Sequence, residues 1–257
     1  MKLVQKKFYC LLIGSSISAS SAFALVPFSD DFTAADGYTE GENINGINGW
    51  SDASGTFDVS DVAGEGILQI TSGVQPNFTK ISNTSIGSTF DVGDTVIFSS
   101  EFAFGNGGNN IGFNAYGWFI GLGDTATAID IGVQVGGVGT DTLASISGAV
   151  SNNNVGARDT NQHIASVSIT KSATPDQFDV QLFFDGSSIE TTTITNAGLY
   201  SAANYFLVAQ NGGGGVNSVG GVAVDSVSVV VPEPSTYALV AGLSALIGLG
   251  IVRRKRA

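Results

Sequence analysis

The chain has 257 residues and a net charge of −12, but the charge is unevenly distributed. Seven of the ten basic residues lie at the two ends; between them only Lys80, Arg158 and Lys171 stand against 22 acidic residues, a net −19. A surface of that sign repels nucleic acid and anionic headgroups, so no nucleic-acid partner is expected. The single cysteine, Cys10, excludes disulfides and thiolate metal sites from everything downstream.

The first element is a targeting segment. Lys2, Lys6 and Lys7 precede an apolar run from Phe8 to Ile17, then the small polar stretch Ser18 to Ser21 and Ala22-Phe23-Ala24. A charged start, a short apolar core and an A-x-A site define a secretory signal peptide over 1–24, a signal helix cut after Ala24 with Ala22 and Ala24 as cleavage residues. The apolar run is too short for a comfortable membrane span. Cys10 stands at its start, whereas a lipoprotein cysteine follows it.

From Leu25 to Val231 helical periodicity is absent. Runs rich in Val, Ile, Thr and Phe recur between clusters of Gly, Asn, Asp and Ser. Gly66 to Ile70 is one such strand. Thr95 to Phe104 is a longer one, with Val96, Phe98 and Ser100 on one face and Ile97, Ser99 and Glu101 on the other. Tyr116 to Leu122 is apolar on both faces, as a central strand is. Ile129 to Val135, Thr142 to Ile146 and His163 to Lys171 follow. Phe178 to Phe184 leads through Asp185-Gly186 into Ser188 to Ile194, the best hairpin signal in the chain. Tyr205 to Ala209 and Val222 to Val231 close the series. About a dozen strands at this spacing predict an all-β, two-sheet antiparallel sandwich over 25–231. The glycine-rich stretches at 105–108 and 212–215 are expected as loops at its ends. With no cysteine in this region, its stability must come from the core, and roughly 200 residues suffice for that.

The last 26 residues have three parts. Val231-Pro232-Glu233-Pro234-Ser235-Thr236 comes first, then the uncharged run Tyr237 to Val252, then Arg253-Arg254-Lys255-Arg256. At 1.5 Å per residue the apolar run spans roughly 24 Å, a short match to a hydrocarbon core of roughly 30 Å. It reads as a single transmembrane helix suited to temporary anchoring, with the basic cluster held on the cytoplasmic side. The two prolines keep the motif before it extended, the form a protease cleft binds.

This order of parts resembles the PEP-CTERM sorting signal of Gram-negative bacteria, which divides the chain into 1–24, 25–231 and 232–257. The resemblance implies processing by exosortase, a membrane-embedded cysteine transpeptidase-like enzyme, after passage through the general secretion machinery. It makes Pro232, Glu233 and Pro234 the recognised motif (within 232–235), 237–252 the span, and Arg253, Arg254, Lys255 and Arg256 the retention cluster. It implies a precursor anchored transiently in the inner membrane, then release to the cell envelope or the extracellular, exopolysaccharide-containing matrix.

Three segments of the body resemble laminin-G or concanavalin-A-like jelly rolls: Asp30-Asp31-Phe32 through Asn48-Gly49-Trp50, Phe178 to Gly186, and Val222 to Val229. That resemblance implies a two-sheet jelly roll of glycan-binding or adhesive type.

For chemistry, one histidine, His163, excludes His-rich metal sites, and no Gly-x-Ser-x-Gly elbow supports a serine triad. The body's glutamates (Glu40, Glu42, Glu65, Glu101 and Glu190) do not fall into the Glu-x-Asp-x-x-Glu strand pattern of jelly-roll glycosidases, so no enzyme is expected. Calcium is the one candidate cofactor: Asp30, Asp31 and Asp36 cluster near the start of the body, and Asp225 lies on the closing strand, which can pair beside them. The alternative is that these carboxylates cap turns or face solvent. Trp118 lies in an apolar run and is expected in the core. Trp50, at the end of a glycine-rich loop, is either a sugar-stacking residue or a core residue. The expectation is an exported, non-catalytic structural or adhesive protein; a glycan-binding module with or without calcium is the alternative, and a hydrolase of unfamiliar site the third reading.

Overall fold

The computed structural model describes residues 27–51, 57–61, 63, 64, 66–70, 79–83, 90–104, 117–125, 129–138, 141–147, 153–157, 159–201, 207–211 and 222–231. The signal segment 1–24, the sorting tail 232–257 and the glycine-rich stretches 105–108 and 212–215 lie outside these residues. Among the described residues no helix is long and apolar enough to cross a membrane.

Fifteen strands are described. They are β1 (Phe28–Asp30), β2 (Trp50–Ser51), β3 (Phe57–Ser60), β4 (Ile67–Ile70), β5 (Thr79–Asn83), β6 (Thr95–Phe104), β7 (Gly117–Leu122) and β8 (Ile131–Val138). After them come β9 (Asp141–Ser147), β10 (Asn153–Ala157), β11 (Gln162–Lys171), β12 (Gln177–Phe184), β13 (Ser187–Thr195), β14 (Leu207–Asn211) and β15 (Val222–Val230). One short helix, α1 (Ala197–Ser201), lies between β13 and β14. Sheet A has the order β13-β12-β11-β6-β15-β4-β3, with β1 also against β15. Sheet B has the order β10-β9-β8-β7-β14-β5-β2. The pairings are antiparallel throughout, which makes the fold an all-β, two-sheet jelly-roll sandwich.

The core lies between the sheets and follows from period-two alternation. On β6, Val96, Phe98, Ser100, Phe102 and Phe104 are buried while the residues between them are half-buried. On β12, Phe178, Val180, Leu182 and Phe184 do the same. Facing them across the sandwich are Ile120, Leu122, Ile131, Val133, Val135, Ala144 and Ile146 of sheet B. β15 would lose this phase halfway along, because its apolar residues change parity between Val224 and Val227. A bulge corrects it: Val224 pairs with Phe102 and Ser226 with Glu101, so Asp225 is the extra residue and both valines stay in the core.

Polar contacts close the edges. Asn153 Nδ2 of β10 donates to Glu190 Oε2 of β13 at 2.8 Å, joining the end strand of sheet B to the end strand of sheet A. Lys171 Nζ donates to Phe90 O at 2.9 Å and Tyr200 O at 2.7 Å and lies 4.4 Å from the Tyr200 ring centroid. One of the few cations between the two ends of the chain is thus committed to holding α1 against the sandwich.

The Asp-Gly hairpin forms as expected, with Asp185 and Gly186 both at positive φ (47° and 75°), as a primed turn requires. It is latched to the neighbouring turn through His163 on β11. The imidazole Nδ1 lies 2.8 Å from Asp185 Oδ2 and Nε2 lies 3.0 Å from Asp159 Oδ1, while the ring packs on Phe184 and Phe102. Partial burial disfavours the charged ring, but the hydrogen bonds to Asp185 and Asp159 and their charges outweigh it and raise the pKa above 6.5. A raised histidine pKa gives stability that is complete below the unfolded-state value and is lost as pH rises through the folded-state value. The urea midpoint should therefore fall as pH rises above 6.5. In His163→Gln that part of the pH dependence should vanish, as denaturation series at several pH values would show.

Candidate binding face

The residues singled out in the sequence separate into two groups once folded. Asp30, at the end of β1, is buried at 1% exposure. Its Oδ2 accepts from Tyr38 Oη at 2.6 Å, Trp50 Nε1 at 2.8 Å and Asn48 Nδ2 at 3.5 Å, and its Oδ1 accepts from Phe32 N at 3.0 Å. Burial pushes its carboxyl above the usual aspartate value, against the pull of these four donors. Burial and the adjoining Asp30 likewise push the Tyr38 hydroxyl up. Phe28, Phe32, Tyr38 and Trp50 enclose the carboxylate, with ring centroids 5.9 Å apart for Phe28–Trp50 and for Phe32–Tyr38, and 6.3 Å for Phe32–Trp50.

Two expectations are corrected here. Trp50 is 2% exposed, with its faces packed and its N–H given to Asp30, so no sugar ring can stack on it. Of the two readings held for Trp50, the core one holds. The four aspartates do not converge as a calcium site. Asp30 is filled by protein donors. Asp31 is exposed. Asp36 accepts from Thr33 N at 3.2 Å and Thr33 Oγ1 at 2.9 Å, closing a capping box on the 3-10 turn Ala34–Asp36. Asp225 accepts from Gln162 Nε2. The closing strand does pair beside β1, with Asp30 opposite Val227, but the carboxylates point to separate partners. Among the described residues no group of three or more His, Cys, Asp or Glu side chains is placed to hold a metal ion.

The outer face of sheet B is a different kind of surface. With Ile120, Leu122, Ile131, Val133, Val135, Ala144 and Ile146 in the core, alternation sends the residues between them outward. Backbone register then places Phe119 beside Gln134, Gln134 beside Ser145, and Phe119 beside Gln210, with Lys80 continuing the row. In this row Phe119 and Gln134 are half-buried and Ser145 is buried. Glycines flank it: Gly117 and Gly121 on β7, Gly132 and Gly136 on β8. At the Gly121–Gly132 pair the strands approach too closely for any side chain. A Cβ on Gly121 would lie 2.3 Å from Ile131 O, and one on Gly132 would lie 2.4 Å from Ile120 O. Gly121 and Gly132 are themselves buried, so the two strands pack closely beside the half-buried Phe119 and Gln134. Among the described residues of these strands, Asp141 is the one acidic residue on this face. The sequence showed β7 as apolar on both sides. It did not show that the register would set Gln134 and Gln210 opposite Phe119, because strand pairing is not local.

No known family's sequence model matches this chain, and no curated protein matches it in sequence. Solved structures do share the fold. An endo-1,3-β-glucanase from Streptomyces sioyaensis superposes with a TM-score of 0.52 at 18% identity, over 82% of this chain and 97% of that one. A carbohydrate esterase from the Shiga toxin-encoding bacteriophage phi24B gives 0.50 at 15% identity, over 72% and 91%. Lectin II from Ulex europaeus gives 0.46 at 15% identity, over 80% and 98%. At these identities the likeness to the glucanase and the esterase is one of fold alone, a jelly-roll sandwich.

If Asp30 organises this end of the sandwich, Asp30→Ala should lower unfolding stability by about 3 kcal/mol. Removal of the carboxylate leaves the buried Tyr38 hydroxyl and Trp50 indole without acceptors. Chemical denaturation with the tryptophan signal as readout checks this; a loss below about 1 kcal/mol would show that the donors find other partners.

Proposed function

We propose that this chain is an exported, non-catalytic adhesive protein of the cell envelope or extracellular matrix, and that it binds polysaccharide through the outer face of sheet B. The half-buried pair Phe119 and Gln134, with Gln210 opposite Phe119 in the backbone register, carries this reading. An aromatic side chain packs on a pyranose ring and amides pair with sugar hydroxyls. The net −19 between the chain ends disfavours uronate and sulfate polymers, so the ligand class is a neutral glycan.

Absence of catalysis is part of the proposal. A glycosidase needs two carboxyl groups roughly 5 to 9.5 Å apart across the sugar. The described outer-face positions of sheet B offer Asp141 alone, and it lies toward the sheet's edge. Calcium is not needed for binding in this reading, since Asp30, Asp36 and Asp225 already accept hydrogen bonds from protein donors.

Affinity electrophoresis of the full chain against neutral glucans and an anionic control such as alginate tests the face. Retardation is expected with a neutral polymer and unchanged by a chelator. Phe119→Ala should weaken it roughly tenfold, equivalent to about 1.4 kcal/mol. A chelator that abolishes binding would favour a calcium-dependent lectin instead, and new reducing ends would make the protein a hydrolase. No retardation by any polymer would leave a purely structural matrix role.

Delivery is proposed from the chain ends. Ala22 and Ala24 mark release from the secretion machinery, and the Pro232-Glu233-Pro234 tail marks exosortase processing at the inner membrane. Neutral substitution of Arg253, Arg254, Lys255 and Arg256 should impair membrane retention and processing. A mature protein of native mass and location after that change would overturn the sorting assignment.

A further inference from the structure

Five described strands pair on one side only, and four of them are poor templates for further pairing; β1 has three residues. β2 has two residues and β3 has four. β10 has five, with a register shift between Asn154 and Gly156. Short or bulged edges of this kind are how sheets avoid joining end to end.

β13 is longer, and its bulge lies toward one end. It runs for nine residues, Ser-Ser-Ile-Glu-Thr-Thr-Thr-Ile-Thr, with neither proline nor a basic residue. Its β-branched residues favour extended pairing. Its register shift falls near the hairpin end, at Leu182/Phe183, so Glu190 to Thr195 pair with Leu182 to Gln177 without interruption. Among the described residues no strand pairs with its other side. Its single charge, Glu190, accepts a hydrogen bond from Asn153 of β10.

We infer that β13 is a self-association edge, through which two copies of this chain pair antiparallel and join their A sheets into one. The strand suits itself. A two-fold axis centred on Thr191 sets Glu190 opposite Thr192 and Thr191 opposite its own copy, within the stretch beyond the bulge at Ile189. No like charges meet in that register, although each chain carries −19 between its ends. Threonine pairs and a shared backbone ladder hold the contact, and the two-fold symmetry closes it at a dimer. No other described edge has the length to fill the same role. Such a dimer carries two outer B faces on one particle, whatever those faces bind.

The test uses the full chain in mild detergent, with molar mass read by light scattering. The wild type should have twice the protein mass of one chain. Thr191 is exposed, so Thr191→Lys leaves the fold intact by circular dichroism, yet it sets two ammonium groups opposite each other. It should raise the dissociation constant at least tenfold and yield monomer, and mixing it with Thr191→Glu should restore the dimer. In a Cys10→Ser background, Thr191→Cys should oxidise to a linked dimer while Ser60→Cys on β3 should not. A wild-type chain that stays monomeric overturns the inference and leaves the edge to a segment of another protein. A dimer indifferent to Thr191→Lys overturns it as well and places association elsewhere, in the tail for instance.

Discussion

Asp30 and Trp50 lie on different sheets. β1 belongs to sheet A through its pairing with β15, and β2 belongs to sheet B through its pairing with β5. The 2.8 Å hydrogen bond from the Trp50 indole to the Asp30 carboxylate therefore crosses the sandwich. Tyr38 and Asn48, from the connection between β1 and β2, donate to the same oxygen. A buried carboxylate is costly unless its lone pairs are filled, and here every donor comes from the chain's own opening segment. That requirement sets the path of residues 28 to 50: the loop must return the tryptophan to the carboxylate it left behind.

The rest of the architecture is compatible with that crossing because the closing strand lies beside the opening one. β15 is flanked by β6 on one side and by β1 and β4 on the other, so both ends of the described chain meet in sheet A. Sheet B holds neither the first nor the last described strand, and its middle strands β7 and β8 carry Gly117, Gly121, Gly132 and Gly136 beside Phe119 and Gln134. The two sheets thus divide the work. Sheet A pairs the first and last described strands and holds the hydrogen-bonded cluster at Asp30, to which sheet B contributes Trp50.

Charge follows the same division. With three basic residues between the ends, ion pairs cannot be the means of stability. Lys171 instead bonds carbonyls, and the lone histidine sits between two aspartates. Carboxylates are used as acceptors for backbone and side-chain donors, at Asp30, Asp36 and Asp185 in particular, a use that needs no cation.

Much of the fold was legible in the sequence because alternation and turn chemistry are local. β6 begins and ends where its pattern of Val, Phe and Ser does, and Asp185-Gly186 makes the hairpin its type demands. Strands without such a pattern were not: β2 has two residues, β5 reads Thr-Lys-Ile-Ser-Asn, and β10 reads Asn-Asn-Val-Gly-Ala, polar enough to pass for a turn. The five-residue α1 is too short for a helical period and depends on Asn196 capping Leu199 N at 3.0 Å. The candidate site was the least legible part. An aspartate cluster looks alike whether it waits for calcium or accepts from a tyrosine and a tryptophan, since the difference lies in donors 8 and 20 residues away. Local composition alone determined that the chain is sheet-forming, acidic and free of cysteine chemistry. Only the tertiary structure decided that Trp50 is interior and that Gln134 and Gln210 stand opposite Phe119 in the register, because burial and strand register are set by partners remote in sequence.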